Sequence, residues 1–177
     1  LSSRILVDEI RSKTTNGNLS IQPNGTGLMV PKRTVAFQVG ATDMDQSGTA
    51  DSAVVVQWEF VTLDTGSYWD STNHRYTPQV AGFYLFGGGI RFAVSAGQYV
   101  NAKIRRNGVG QGMVQFNSGS GSNDIFSNGS IPIPTAMIQM NGSTDYVDVT
   151  FAHENAATIH DSTSVPSVFW GVLIHGT

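Results

Sequence analysis

A chain of 177 residues, 40% of them hydrophobic, suits one domain with its own core plus a short appendage, since single domains run about 100 to 200 residues. The net charge of -3, with Lys32-Arg33 and Arg105-Arg106 as the only basic doublets, excludes a surface built to neutralise a row of nucleic-acid phosphates. The lack of cysteine excludes a disulfide framework, a thiolate metal site and a cysteine nucleophile, and a charged fraction of 13%, against a usual value of about 25%, fits a protein that loses surface to an interface.

Residues 1 to 33 form a distinct first stretch. Arg4 to Ile10 reads as a strand or as a short helix starting at Ser2 or Ser3, and propensity leaves both open. Polar Thr14-Thr15-Asn16-Gly17 follows, and then Leu19 and Ile21, the turn Pro23-Asn24-Gly25-Thr26-Gly27, and Leu28-Met29-Val30 make a hairpin-like unit ending at Pro31. So few apolar residues cannot close a core alone. A start at Leu1 rather than at a methionine leads us to expect a piece of something longer.

From Val35 onward, strands are expected every 8 to 15 residues or so, divided by turn residues. Asn-Gly pairs stand at 16–17, 24–25, 107–108, 128–129 and 141–142, and both residues tolerate the positive φ that tight hairpins need. Asp43, Asp45 and Ser47 occupy the first, third and fifth places of a calcium-loop pattern, with Gly48 sixth. Val54 stands where the closing glutamate belongs, so a solvated turn competes with a cation site.

Two segments are apolar on both faces: Gly82 to Phe86, and Val168 to Ile174 with its central Gly171. Such strands are covered on both faces. With no helix apparent, a neighbouring subunit is the expected second cover. Elsewhere the pattern alternates: Val100, Ala102 and Ile104 oppose Tyr99, Asn101 and Lys103, and Val147, Val149 and Phe151 oppose Tyr146, Asp148 and Thr150, the period of half-buried strands. No unbroken apolar run is longer than Ala53 to Val56, so no membrane insertion is expected. Asn117 to Asn123 is a low-complexity loop.

Catalytic patterns fail on inspection. His153-Glu154-Asn155-Ala156-Ala157 begins like a zinc-protease motif, but its second histidine is an alanine in a strand-and-loop context. His160-Asp161 has serines in plenty but no nucleophile elbow. No cofactor and no enzymatic activity are expected. Tyr68, Trp69 and Tyr76 read as buried packing rather than as a sugar platform. Of the sequons at Asn18, Asn24, Asn128 and Asn141, three coincide with Asn-Gly turns, which account for them without glycan.

The ordered set Val35-Ala36-Phe37, Val56 to Phe60, Gly66 to Asp70, Arg75-Tyr76-Thr77, Gly82 to Phe86, Arg106-Asn107-Gly108 and Phe169-Trp170-Gly171-Val172-Leu173 resembles the C1q/TNF-like domain over residues 35 to 175. The resemblance implies an all-β jelly-roll sandwich in residues 34–177 that packs as a homotrimer, with Phe37, Tyr84, Phe86, Phe169, Trp170 and Leu173 in its core and trimer packing. Met140-Asn141-Gly142-Ser143-Thr144-Asp145 is two residues longer than the family's Leu-x-x-Gly-Asp between glycine and aspartate. Residues 1–33, notably Asn18 to Gly27, are similar to the β-structured shaft segments of bacteriophage tail fibres. Together the two resemblances imply a trimeric virion attachment head that binds a bacterial surface receptor, a polysaccharide, through loops remote from the shaft. The loops 64 to 75, 117 to 125 and 152 to 166 are the candidates, and His153, Glu154, His160 and Asp161 of the last are the expected receptor contacts. A secreted C1q-like recognition or adhesion protein of cellular origin is the alternative.

Overall fold

A computed structural model of the chain describes residues 34–42, 45–48, 50–94, 99–117, 129–154, 157–160 and 166–177. By its contacts the chain divides into Leu1–Lys32 and Arg33–Thr177. The shaft-like reading of 1–33 lies outside the described residues; the described strands and sheets belong to the second unit.

All regular elements among the described residues are strands. In chain order they are β1 (Ala36–Ala41), β2 (Asp45–Ser47), β3 (Val54–Val55), β4 (Phe60–Asp64), β5 (Trp69–Asp70), β6 (Arg75–Tyr76) and β7 (Gly82–Val94), then β8 (Tyr99–Arg106), β9 (Val109–Asn117), β10 (Gly129–Met140), β11 (Val147–His153), β12 (Ala157–His160) and β13 (Ser167–Gly176). They form two antiparallel sheets. In the first, long β7 pairs with β10 along one side and with β13 and β12, end to end, along the other; β13 continues to β1 and β4, and β12 to β2. The second runs β5-β6-β11-β8-β9, with β3 also on β11. Partners distant in sequence, such as β1 with β13, make this a jelly roll rather than a meander.

Local chemistry explains the turns and edges. The β8–β9 hairpin turns on Asn107 and Gly108, with φ of 51° and 78°, which few other residues adopt without strain. Pro132 and Pro134 cannot donate ladder bonds, so β10 lies at an edge and its register slips between Ile133 and Ala136. The long 140–145 loop closes on one side chain: Asn141 Oδ1 accepts from the backbone N–H groups of Ser143, Thr144 and Asp145.

The inner faces meet in an aromatic core. Phe37 stacks on Tyr76 at 4.0 Å between ring centroids and meets Phe169 edge-on at 5.1 Å, while Trp58 stacks on Phe169 and Tyr84 on Phe86, each at 5.9 Å. Burying each such ring contributes about 1.5 to 3 kcal/mol. Tyr84 remains polar at its tip, where its hydroxyl donates to the Val80 carbonyl. Tyr68 and Trp69 pack against this core and Tyr76 lies within it, as the sequence led us to expect.

One strand departs from expectation. The alternation over 146–151 reads as half-buried, yet β11 is buried on both faces. Its outward carboxylate, Asp148, is covered by Arg105, which donates from Nε and Nη2 to Oδ1 and Oδ2 at 2.8 and 2.7 Å. A charged residue can look outward in sequence and still be enclosed when a paired arginine lies over it.

Candidate functional site

The outer face of the first sheet is the largest chemical anomaly among the described residues. Strand alternation sends Phe37, Tyr84, Phe86 and Phe169 inward, so their neighbours point out. Cross-strand register then aligns Ala36, Val172, Leu85 and Met137 in one row over four strands. A second row is Leu63, Gln38, Trp170 and Gly87, and a third is Phe60, Gly40, Val168, Gly89 and Pro132. Met137 is 67% exposed, Ile174 56% and Leu63 46%. A contiguous apolar surface of this kind marks an interaction site on a folded chain.

The second sheet shows the opposite chemistry. Its outer rows pair Asn101 with Gln115 and Lys103 with Met113, and set Arg105 beside Asp148. The contrast between the two outer faces makes the apolar one the candidate interaction surface. Of the six residues expected in core and trimer packing, Phe37, Tyr84, Phe86 and Phe169 are core and Leu173 packs against it, while Trp170 stands on the outer face.

The two ends of the sandwich also differ. Thr34 opens the described unit beside the C-terminus: Leu173 N–H donates to the Val35 carbonyl, Thr177 N–H to that of Ala81, and Asn107 N–H to that of Tyr146. This end therefore carries the 107–108 turn and the 141–146 loop. Asp64 pairs with Phe37 and Tyr76 with Val147, so the 64–75 candidate lies toward it as well. The opposite end carries the strand ends that flank the other two candidates: Asn117 opposite Tyr99, Gly129 opposite Phe92, His153 opposite Val100 and Ala157 opposite Val94.

Of the expected receptor contacts, His153 and Glu154 stand at this far end, and His153 does not face solvent. His153 is 1% exposed, its ring stacked on Phe151, and neither ring nitrogen has a hydrogen-bond partner among the described residues. It points into the sandwich because it keeps the inward parity of Val149 and Phe151, while its neighbour Glu154 is half-buried. His160 pairs in register with Asp45, and Thr158 with Ser47. Residues 45–47 thus run as a strand, with Gln46 turned inward to donate to the Val55 carbonyl and to accept from Gln57 N–H. Asp43 and Asp161 lie outside the described residues. Among the described residues no group of three or more His, Cys, Asp or Glu stands together as metal ligands, and no helix is long and apolar enough to cross a membrane.

Sequence reasoning missed one cluster at the far end. Tyr99 hydroxyl donates to Asp51 Oδ1, and Glu154 N–H to the Tyr99 carbonyl, tying two loops to β8. The Asp51 hydrogen bond and nearby carboxylates raise the Tyr99 hydroxyl above its ordinary value. No spacing signal joins positions 51, 99 and 154.

The two sheets, their strand order and their core define a jelly roll of the C1q/TNF-like kind. No protein-family model matches the sequence, and neither does any curated protein. Solved structures do match it: Eiger TNF from S. frugiperda has a TM-score of 0.59 at 13% identity, covering 81% of this chain and 94% of that one. The globular domain of zebrafish complement 1qA has a TM-score of 0.56 at 14% identity, over 80% and 98% of the two chains. The vertex protein P5 of the phage PRD1 has a TM-score of 0.55 at 13% identity, over 79% and 96%. At these identities the likeness is one of fold.

Proposed function

We propose that this chain is the trimeric head of a bacteriophage tail fibre, a non-enzymatic attachment module that binds a polysaccharide receptor on the bacterial surface. The observation that carries the reading is the apolar outer face of the first sheet, on which Met137, Ile174 and Leu63 stay exposed. Val109 and Met113 add exposed apolar residues on β9, at the sandwich edge beside β10. A contact between that face and a different surface of the next copy is heterologous, and such contacts close into a ring of three when each turns the next copy by a third of a circle. At about 25 cal/mol per Å² of apolar area, an interface of roughly 2,000 Å² contributes tens of kcal/mol gross, before association costs. With the copies joined side by side, the far end stays open to a receptor, for which Glu154, His160 and Asp161 are the candidate contacts. Three weak sites then hold a cell by avidity. The likeness to a phage vertex protein supports a place on the virion. The lack of cysteine suits assembly in a reducing host cytoplasm, with the shaft upstream.

Likeness to Eiger TNF and complement 1qA favours a second reading, a secreted recognition or adhesion protein of cellular origin. Coding sequence upstream of Leu1 separates the two: baseplate-attachment sequence supports the first and a collagen-like Gly-x-y tract the second. Competition tests attachment directly. Purified head is expected to block adsorption of its parent particle to host cells, and substitution of Glu154, His160 and Asp161 by alanine is expected to remove the block while the trimer persists. A native head that blocks nothing overturns the reading.

A further inference from the structure

Two of the Asn-Gly pairs, Asn107-Gly108 and Asn141-Gly142, stand side by side at the Thr34 end. Asn-Gly is the dipeptide most prone to lose its side-chain amide, because glycine leaves the following backbone nitrogen unhindered. That nitrogen attacks the asparagine Cγ and ammonia departs, leaving a five-membered succinimide. Water then opens the ring at either carbonyl to give aspartate or isoaspartate, so one water enters for each ammonia released.

Here both carboxamides are held, and one carboxylate links the Asn107 side chain to the Asn141 backbone. Asn107 Nδ2 donates to Asp145 Oδ1 at 2.7 Å, and Asn107 Oδ1 accepts from Tyr146 N–H at 3.0 Å. The other oxygen, Asp145 Oδ2, accepts from the Asn141 backbone N–H at 2.9 Å. Asn141 Oδ1 takes three backbone N–H groups of its own loop, while its Nδ2 donates to Thr144 Oγ1 at 2.8 Å. Turning either Cγ onto the next backbone nitrogen breaks these bonds.

We propose that Asp145 protects this end of the head from deamidation, and that Asn107 is the modification site exposed when its hold is lost. Among the described residues, Asp145 supplies the only bond to the Asn107 amide nitrogen, whereas Asn141 keeps its own loop. Loss of the Asn107 amide sets a second carboxylate against Asp145 where a 2.7 Å hydrogen bond stood. The like charges repel, and an isoaspartate adds a backbone methylene to a two-residue turn whose positive φ angles fix the hairpin geometry. The damage therefore opens the Thr34 end of the sandwich.

The test is peptide mapping by mass spectrometry of the full chain, incubated in mildly alkaline buffer with and without concentrated urea. In the folded chain, Asn107 and Asn141 are expected to lose ammonia at least about tenfold more slowly than in urea, because reaction waits on local opening. In Asp145→Ala, checked by circular dichroism for retained β structure, Asn107 is expected to approach its urea rate while Asn141 lags. Equal rates for wild-type Asn107 with and without urea overturn the proposal even if the variant fails to fold, and a folded Asp145→Ala with the wild-type Asn107 rate removes Asp145 from it.

Discussion

Trp170 on β13 lies across Gly87 on β7: the two pair in register, and a Cβ built at Gly87 would sit 2.8 Å from the indole Cζ2. The glycine lets the ring lie flat on the sheet, in the middle of the apolar outer face. A broad aromatic pressed on a flat floor and still partly exposed is what a packed subunit contact requires.

Trp170→Glu is therefore expected to leave the sandwich folded and to abolish assembly, since the side chain stands outside the core. Light scattering at micromolar concentration should give three times 18.9 kDa for the native chain and a single copy for the variant. A trimer that survives the substitution places the interface elsewhere.

Phe169, the neighbour of opposite parity, is a core residue enclosed by Phe37, Trp58 and Phe86. Phe169→Ala leaves a cavity and should cost about 3 to 5 kcal/mol, read as a lower denaturation midpoint with an unchanged slope. The Trp170 and Phe169 variants thus separate assembly from folding at adjacent positions.

Tyr76 and Tyr84 make the head sensitive to alkali. Burial, then the charge of nearby Tyr68, pushes the Tyr84 hydroxyl up to about 12, and burial raises that of Tyr76 further still. Below the ordinary tyrosine value of 10, folded and unfolded chains are both protonated, so these groups give no pH dependence. As the pH rises above 10 the unfolded chain ionises first, and stability falls through about 12. The Tyr76 hydroxyl is buried without a hydrogen-bond partner among the described residues, so Tyr76→Phe is expected to gain about 1 kcal/mol at neutral pH and to soften the alkaline loss. Melting temperatures of both proteins from pH 7 to 11 check this, and a lower neutral melting point for the variant would refute it.

The Arg105–Asp148 pair is worth most when broken from one side. Arg105→Ala leaves the buried Asp148 carboxylate uncovered and should cost about 2 to 3 kcal/mol, less than a fully enclosed pair because the arginine side chain is 22% exposed. Replacing both residues, as in Arg105→Met with Asp148→Leu, should recover most of the loss. A double mutant no more stable than Arg105→Ala would show that the loss does not come from the uncovered charge.

Strand identity was legible because it is local. The alternation of Val100, Ala102 and Ile104, the turn at Asn107-Gly108, and the two-faced apolar run ending the chain each announce themselves within ten residues, and their order carried the resemblance to a C1q/TNF-like sandwich. Parity along a strand says which side chains share a face, but not which face meets the core. That depends on partners far away in sequence: Ala36 beside Val172, Leu85 and Met137, or His153 turned inward with Phe151 rather than out toward a receptor. Asp148 reads as an outward charge until Arg105, 43 positions earlier, closes over it. By itself the sequence determined the strands, the turns and the surplus of apolar surface, because these follow from the chemistry of near neighbours. Only the tertiary structure decided where that surplus lies and which end of the sandwich each loop occupies, because cross-strand register is set by long-range pairing that no short window contains.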